Sequence, residues 1–173
     1  MGLFDFLSKK KEPQAERTLL TMKKGDLVDY YMKSWEVTAV GDYDWGNNIF
    51  SKEYELDSGD EKLFLHVTEN MKCSVTKQVP IAKINSDLKN RIVDTDEPQR
   101  EFSYNGLIYA LYESGQGYYS EAGEEASEFV SWDFTDKEEK HLISISRWGE
   151  MDIESFVGTF VAPLEFSNII PKS

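Results

Sequence analysis

The side chains able to carry nucleophilic or proton-transfer chemistry are few. The 173 residues contain two histidines, His66 and His141, and one cysteine, Cys73. No HExxH, CxxC or phosphate-cradling glycine loop appears, and there is no GxSxG nucleophile elbow. An isolated cysteine in strand-like sequence reads as a small buried hydrophobe. It cannot form an internal disulfide, which fits a reducing compartment. Carboxylates are abundant, so pairs of them select no glycosidase-like site. Glu53, Glu55 and Asp133 stand out because they interrupt apolar surroundings, and the plain reading is the solvent-facing phase of alternating strands. Asp42, Asp44 and Glu53 fall at positions 1, 3 and 12 of an EF-hand register, but Gly46 offers no ligand at position 5 and Asn47 replaces the turn glycine. The acidic stretch Glu121, Glu124, Glu125 and Glu128 reads as a solvated loop. No catalytic residue, metal site or cofactor is assigned.

The elements that would position such groups are mainly strands. Leu27 to Tyr31, Trp35 to Val40, Phe50 to Leu56 and Leu63 to Val67 alternate or cluster apolar residues between turn formers. Helical spacing is confined to short stretches: Glu16 to Met22, and Ile81, Ile84, Leu88 and Ile92 in the segment that follows. The chain then repeats itself weakly. A shift of 78 residues places Tyr54 on Trp132, Leu56 on Phe134, Leu65 on Ile143, Val67 on Ile145 and Val75 on Ile153. Upstream a shift of 74 places Tyr30 on Tyr104, Trp35 on Tyr109 and Val37 on Leu111. The difference falls in a longer loop between Gly115 and Glu128. Final strands are expected near Cys73 to Val79 and near Ile153 to Val161.

The expected fold is mainly β: two similar antiparallel β units, an internal duplication, forming one sandwich- or barrel-like body with a short helical linker. The boundaries are 1–23 for an N-terminal apolar and basic tether, 24–80 for the first unit, 81–100 for the linker, and 101–170 for the second unit. Of the 23 aromatic residues, Trp35, Tyr54, Tyr109, Trp132 and Phe134 read as core filling the interior the two units share. Tyr43, Trp45, Tyr118 and Tyr119 lie in the segments GDYDWGNN and GQGYYSEAGEE, read as equivalent loops and as a candidate binding surface.

Charge narrows the partners. Nineteen Lys and Arg against 32 Asp and Glu leave a net charge of −13, which excludes general nucleic-acid backbone binding. Residues 91–173 hold 6 of the basic and 17 of the acidic side chains. The N-terminus is the exception: Leu3, Phe4, Phe6 and Leu7 precede Lys9, Lys10 and Lys11, a pattern suited to weak peripheral contact with an anionic membrane, or to a docked or frayed terminus. No apolar run approaches the ~20 residues of a membrane span.

The segments GDLVDYYMKSWEVTAV and FSKEYELDSGDEKLFLHV, with SWDF and HLISISRWGE later, resemble a bacterial family described as domain of unknown function 4178. The resemblance rests on Gly25-Asp26, Tyr30, Trp35-Glu36-Val37, Glu53-Tyr54-Glu55-Leu56 and Leu63 to Val67, and covers residues 24–168. It implies a bacterial cytoplasmic protein, accessory to membrane-stress systems, and carries no catalytic residues. The function expected is a non-enzymatic binding or adaptor role with a protein partner. The alternative is a small-ligand-binding protein or enzyme with its site in the cleft between the units. A deep cleft lined by Glu53, Glu55, Asp133 or His66 favours the alternative, and a flat patch of Trp45, Tyr118 and Tyr119 favours the adaptor. Edge strands leave a homodimer open.

Overall fold

A computed structural model describes residues 16–173. Eleven strands form one antiparallel sheet: β1 (Leu27–Tyr30), β2 (Lys33–Asp44), β3 (Phe50–Asp57), β4 (Lys62–Thr68), β5 (Cys73–Gln78), β6 (Glu101–Tyr104), β7 (Leu107–Glu121), β8 (Ser127–Thr135), β9 (His141–Arg147), β10 (Ile153–Val161) and β11 (Phe166–Ile170). Two short helices, α1 (Ile81–Ile84) and α2 (Leu88–Thr95), separate β5 from β6. The mainly β expectation and the short helical linker hold. The stretch from Glu16 to Met22 is a turn rather than a helix, with Leu19 and Met22 buried in it.

The sheet closes on itself. Strands β1 to β5 pair consecutively, as do β6 to β10, and β5 joins β10 at one seam. At the other seam the far half of β2 pairs with the far half of β7, from Gly41 opposite Glu121 to Asp44 opposite Tyr118. The result is a ring in the order β2-β3-β4-β5-β10-β9-β8-β7, with β1, β6 and β11 flanking it. Both β2 and β7 are interrupted by a bulge, at Thr38 and at Tyr112, just where each leaves its flanking hairpin to enter the ring. Strand β11 returns from the end of the range read as the second unit and pairs with β1.

The ladders correct two sequence expectations. Leu63 stands opposite Leu56 while Ile143 stands opposite Phe134, so Leu63 corresponds to Ile143, a shift of 80 rather than 78. The connection between Phe134 and Ile143 is two residues longer than that between Leu56 and Leu63. Tyr118 and Tyr119 are not in a loop, because β7 runs unbroken to Glu121, and Tyr43 likewise lies within β2. The glycines that suggest a loop serve strand contact instead: a Cβ on Gly117 would lie 2.2 Å from the Asp44 carbonyl oxygen, and one on Gly41 would meet the Tyr119 ring.

The apolar residues form two cores on the outer faces of the ring. Trp35, Val37, Tyr54, Leu56, Leu65 and Val67 pack beneath Leu19, Met22 and Phe166. Tyr109, Trp132, Phe134, Ile143 and Ile145 pack beneath the helices through Ile81, Ile84, Leu88 and Ile92. The repeat-position rings are therefore core, but they fill two separate cores, not a shared interior. Strand alternation explains this: with Tyr54 and Leu56 turned outward to the covering segments, Ser51, Glu53 and Glu55 must turn inward.

Candidate functional site

The inward phase builds a polar and aromatic lumen. Along one level of the ring Glu53 is opposite His66, His66 opposite Ser74, and Ser74 opposite Phe160. In the other half Phe156 is opposite Ser144, Ser144 opposite Asp133, and Asp133 opposite Glu113. These residues line a cavity of about 110 Å³. It opens at each end of the ring into a wider cleft, of about 570 Å³ at the Glu121–Glu154 end and about 810 Å³ at the Lys72 end. Glu53 and Phe156 reach the first cleft, and His66 and Asp133 reach the second.

Aromatic rings from both halves interlock across the lumen. Tyr43 stacks on Trp45 with centroids 5.4 Å apart, meets His66 edge-on at 5.7 Å and Phe129 at 5.2 Å, and lies 4.8 Å from Tyr119. Trp148 adds contacts to Tyr119 at 5.5 Å and Phe129 at 5.3 Å. The polar atoms of these rings point at carboxylates and hydroxyls. Tyr43 donates to Glu53 Oε1 at 3.4 Å, Tyr119 to Glu121 at 3.3 Å, and Trp148 Nε1 to Glu154 at 3.0 Å. Trp45 Nε1 donates to Ser51 Oγ at 2.8 Å, and Ser51 Oγ lies 2.7 Å from His66 Nε2.

Burial dominates the electrostatics. It pushes the Glu53 carboxyl up to about 7, against the Tyr43 hydrogen bond and with help from the charges of Glu154, Glu121 and Glu55. It pushes Asp133 up to about 6, partly offset by Ser144. It drives His66 down to about 4, so the imidazole is neutral at pH 7, and Lys72 adds to that shift. Asp133 Oδ1 is buried without a hydrogen-bond partner. Burial also acts on Glu55, but hydrogen bonds from Lys62 and Thr38 outweigh it and hold the group low.

The Ser51–His66 pair lacks the rest of a nucleophilic site. Ser51 is buried, its oxygen is engaged by Trp45, and no carboxylate among the described residues hydrogen-bonds to His66. His141 is far from it in role: Asp136 accepts from its ring Nδ1 and its backbone, clamping a turn. Asp42 and Glu53 face opposite sides of the sheet, with Asp42 paired to Lys52 on the outside, so the EF-hand register does not converge. Among the described residues no three His, Cys, Asp or Glu side chains are grouped to hold a metal ion.

Of the loop-surface candidates, Tyr43, Trp45 and Tyr119 turn into the lumen cluster, and Tyr118 stays on the outer face, 53% exposed. The two segments meet, but at a strand seam and not at two loop tips. The membrane-contact candidates Leu3, Phe4, Phe6, Leu7, Lys9, Lys10 and Lys11 lie outside the described residues. No described helix is long and apolar enough to cross a membrane.

The model of the family described as a domain of unknown function, DUF4178, matches residues 23–163, spanning both halves of the ring. The chain belongs to the DUF4178 family. A curated relative from Aquifex aeolicus (strain VF5), described as an uncharacterized protein, is 27% identical over 180 residues, covering 99% of this chain and all of the relative. No solved structure matches the chain. The matched DUF4178 region includes every strand of the ring and both seams, so the lumen lies wholly inside it.

Glu53 and Asp133 interrupt apolar surroundings in the sequence, but so do the solvated carboxylates of any alternating strand. The one legible signal is the company they keep, Ser51, His66, Ser74, Ser131 and Ser144 in the same strand phase.

Proposed function

We propose that this chain is a small-ligand-binding protein whose site is the lumen of the ring. The observation that carries this is the pair of carboxylates, Glu53 and Asp133, half-buried in the wall of a cavity where an apolar filling would be more stable. Burying a charged group costs several kcal/mol, and sites that retain one without a paired cation are candidates for function. The two large apolar clusters lie outside the ring, so the polar groups of the lumen are not part of them. The two halves contribute opposite walls, which supports reading the fold as a duplicated unit with a site at its interface.

The test is thermal unfolding in the presence of fractions of a bacterial small-molecule extract, with wild type compared against Ser74→Leu, which fills the lumen beside His66. A fraction that raises the Tm of wild type and leaves Ser74→Leu unchanged supports the reading. Failure of every fraction, or an equal shift in both proteins, removes it.

A second reading, the adaptor, keeps one specific support. Tyr118 and Phe50 remain exposed on the outer face, both on strands that flank Asp44. If that patch docks a protein partner in the bacterial cytoplasm, Tyr118→Ser with Phe50→Ser abolishes capture of the partner. Retention of the partner by the double variant ends this reading.

A further inference from the structure

We propose that the lumen takes a small organic cation, whose ammonium or guanidinium head enters through the Glu121–Glu154 cleft and pairs with Glu53. This rests on the ligand-binding reading and names the chemical class that the walls select.

The cleft is lined by seven carboxylates and by no Lys or Arg. Among the described residues only Glu55 of that group has an ammonium partner, Lys62 at 2.7 Å. Glu53, Glu121 and Glu154 are each held instead by an aromatic donor, from Tyr43, Tyr119 and Trp148. These donors fix the carboxylates but bring no positive charge, and a carboxylate accepts at about four lone-pair positions, so capacity remains. The same three rings line the cleft beside the acidic groups, and aromatic rings next to carboxylates are the combination that recognises organic cations.

A second observation lies deeper. Asp133 Oδ1 is buried along the lumen with no donor to satisfy it, although a buried acceptor left unmet is costly. A ligand N–H reaching past Glu53 would meet that need. The lumen wall already receives one ammonium group from the chain itself: Lys72 Nζ sits 4.5 Å from the Phe160 centroid and 4.7 Å from that of Tyr112, at the opposite mouth. Its charge also makes that mouth unfavourable for a cation, which leaves the acidic cleft as the entrance. The carboxylates are spread along the passage and not grouped around one point, which suits an organic cation over a bare metal ion.

The experiment is titration of the full chain with butylammonium, butyrate and butan-1-ol, three probes of one length, read by tryptophan fluorescence and calorimetry. Wild type is expected to bind butylammonium, and Glu53→Gln to bind it at least about tenfold more weakly, the equivalent of one charge-assisted contact. Butylammonium binding near pH 7 is also expected to release protons, because pairing favours the ionised Glu53. If Glu53→Gln does not fold, Glu154→Gln makes the same comparison. Binding of butan-1-ol or butyrate as tight as that of butylammonium, lost in Ser74→Leu, overturns the cation assignment while sparing the ligand-binding reading. Equal butylammonium affinity in wild type and the glutamine variants overturns the pairing with Glu53. No binding of any probe overturns the inference, and the extract experiment then decides the broader reading alone.

Discussion

Glu53 and His66 are cross-strand partners inside the lumen, and burial moves them in opposite directions, the carboxyl up to about 7 and the imidazole down to about 4. They are neighbours but not an ion pair. Near neutral pH the imidazole is uncharged and the carboxyl stands at its midpoint. The lumen is thus a place where charge is unfavourable until something supplies its complement.

The pH dependence of stability follows from Glu53. Its folded-state value lies above the ordinary value of 4.5, so the folded chain holds the proton more tightly and loses relative stability as pH rises from 4.5 through about 7. Glu53→Gln removes that loss. Its stability relative to wild type should therefore grow between these limits by about 2–3 kcal/mol, measured by urea unfolding at a series of pH values. A constant difference across the range would show that Glu53 is not buried as described.

His66 acts with the other sign. Its value is lowered to about 4, so the unfolded chain binds the proton first as pH falls from 6.5, and stability is lost across that window. His66→Gln should flatten the acid limb of the stability profile by a similar amount, on the order of 2–3 kcal/mol. An unchanged acid limb would place His66 in solvent.

The two seams depend on glycines that let backbones touch. A Cβ at Gly117 would lie 2.2 Å from the Asp44 carbonyl oxygen, and one at Gly158 would lie 1.9 Å from that of Val75. Gly117→Ala and Gly158→Ala should each cost about 2 kcal/mol or more. Hydrogen exchange should rise along β2–β7 in the first and along β5–β10 in the second. Gly149→Ala, where a Cβ meets nothing within 4 Å, is the matched control and should change little.

Asp26 ties the two ends of the described chain together. It is buried and accepts hydrogen bonds from the Arg17 guanidinium at 3.0 Å, the Lys23 amide at 2.7 Å and the Lys172 amide at 3.1 Å. Removing the carboxylate leaves these donors unmet, so Asp26→Ala should destabilise by about 3 kcal/mol. Limited proteolysis should then cut before Leu27 and after Phe166, exposing Leu19 and Met22 of the first core. Resistance equal to wild type would count against the clasp.

Much of the fold is legible locally. Turn formers bracket β1, β3 and β4, the helical spacing of Ile81, Ile84, Leu88 and Ile92 marks the residues that cap the second core, and Ile153 to Val161 reads directly as β10. The loop expected around Tyr118 and Tyr119 is strand β7, because Gly115 and Gly117 carry the composition of a loop while making room for the Trp45 ring and the Asp44 backbone. Strand β11 carries no local signal, since its five residues have meaning only beside β1.

The amino-acid order by itself determined most of the strands, their two-residue phase and the burial of Trp35, Tyr54, Tyr109, Trp132 and Phe134, because alternation and turn chemistry act over a few residues. Only the tertiary structure decided which polar phase faces water and which faces a lumen. The phase of Glu53 looks the same in an open sheet and in a ring. Closure is set by β2 meeting β7 and β5 meeting β10, contacts between residues 74 to 88 positions apart that no local pattern encodes.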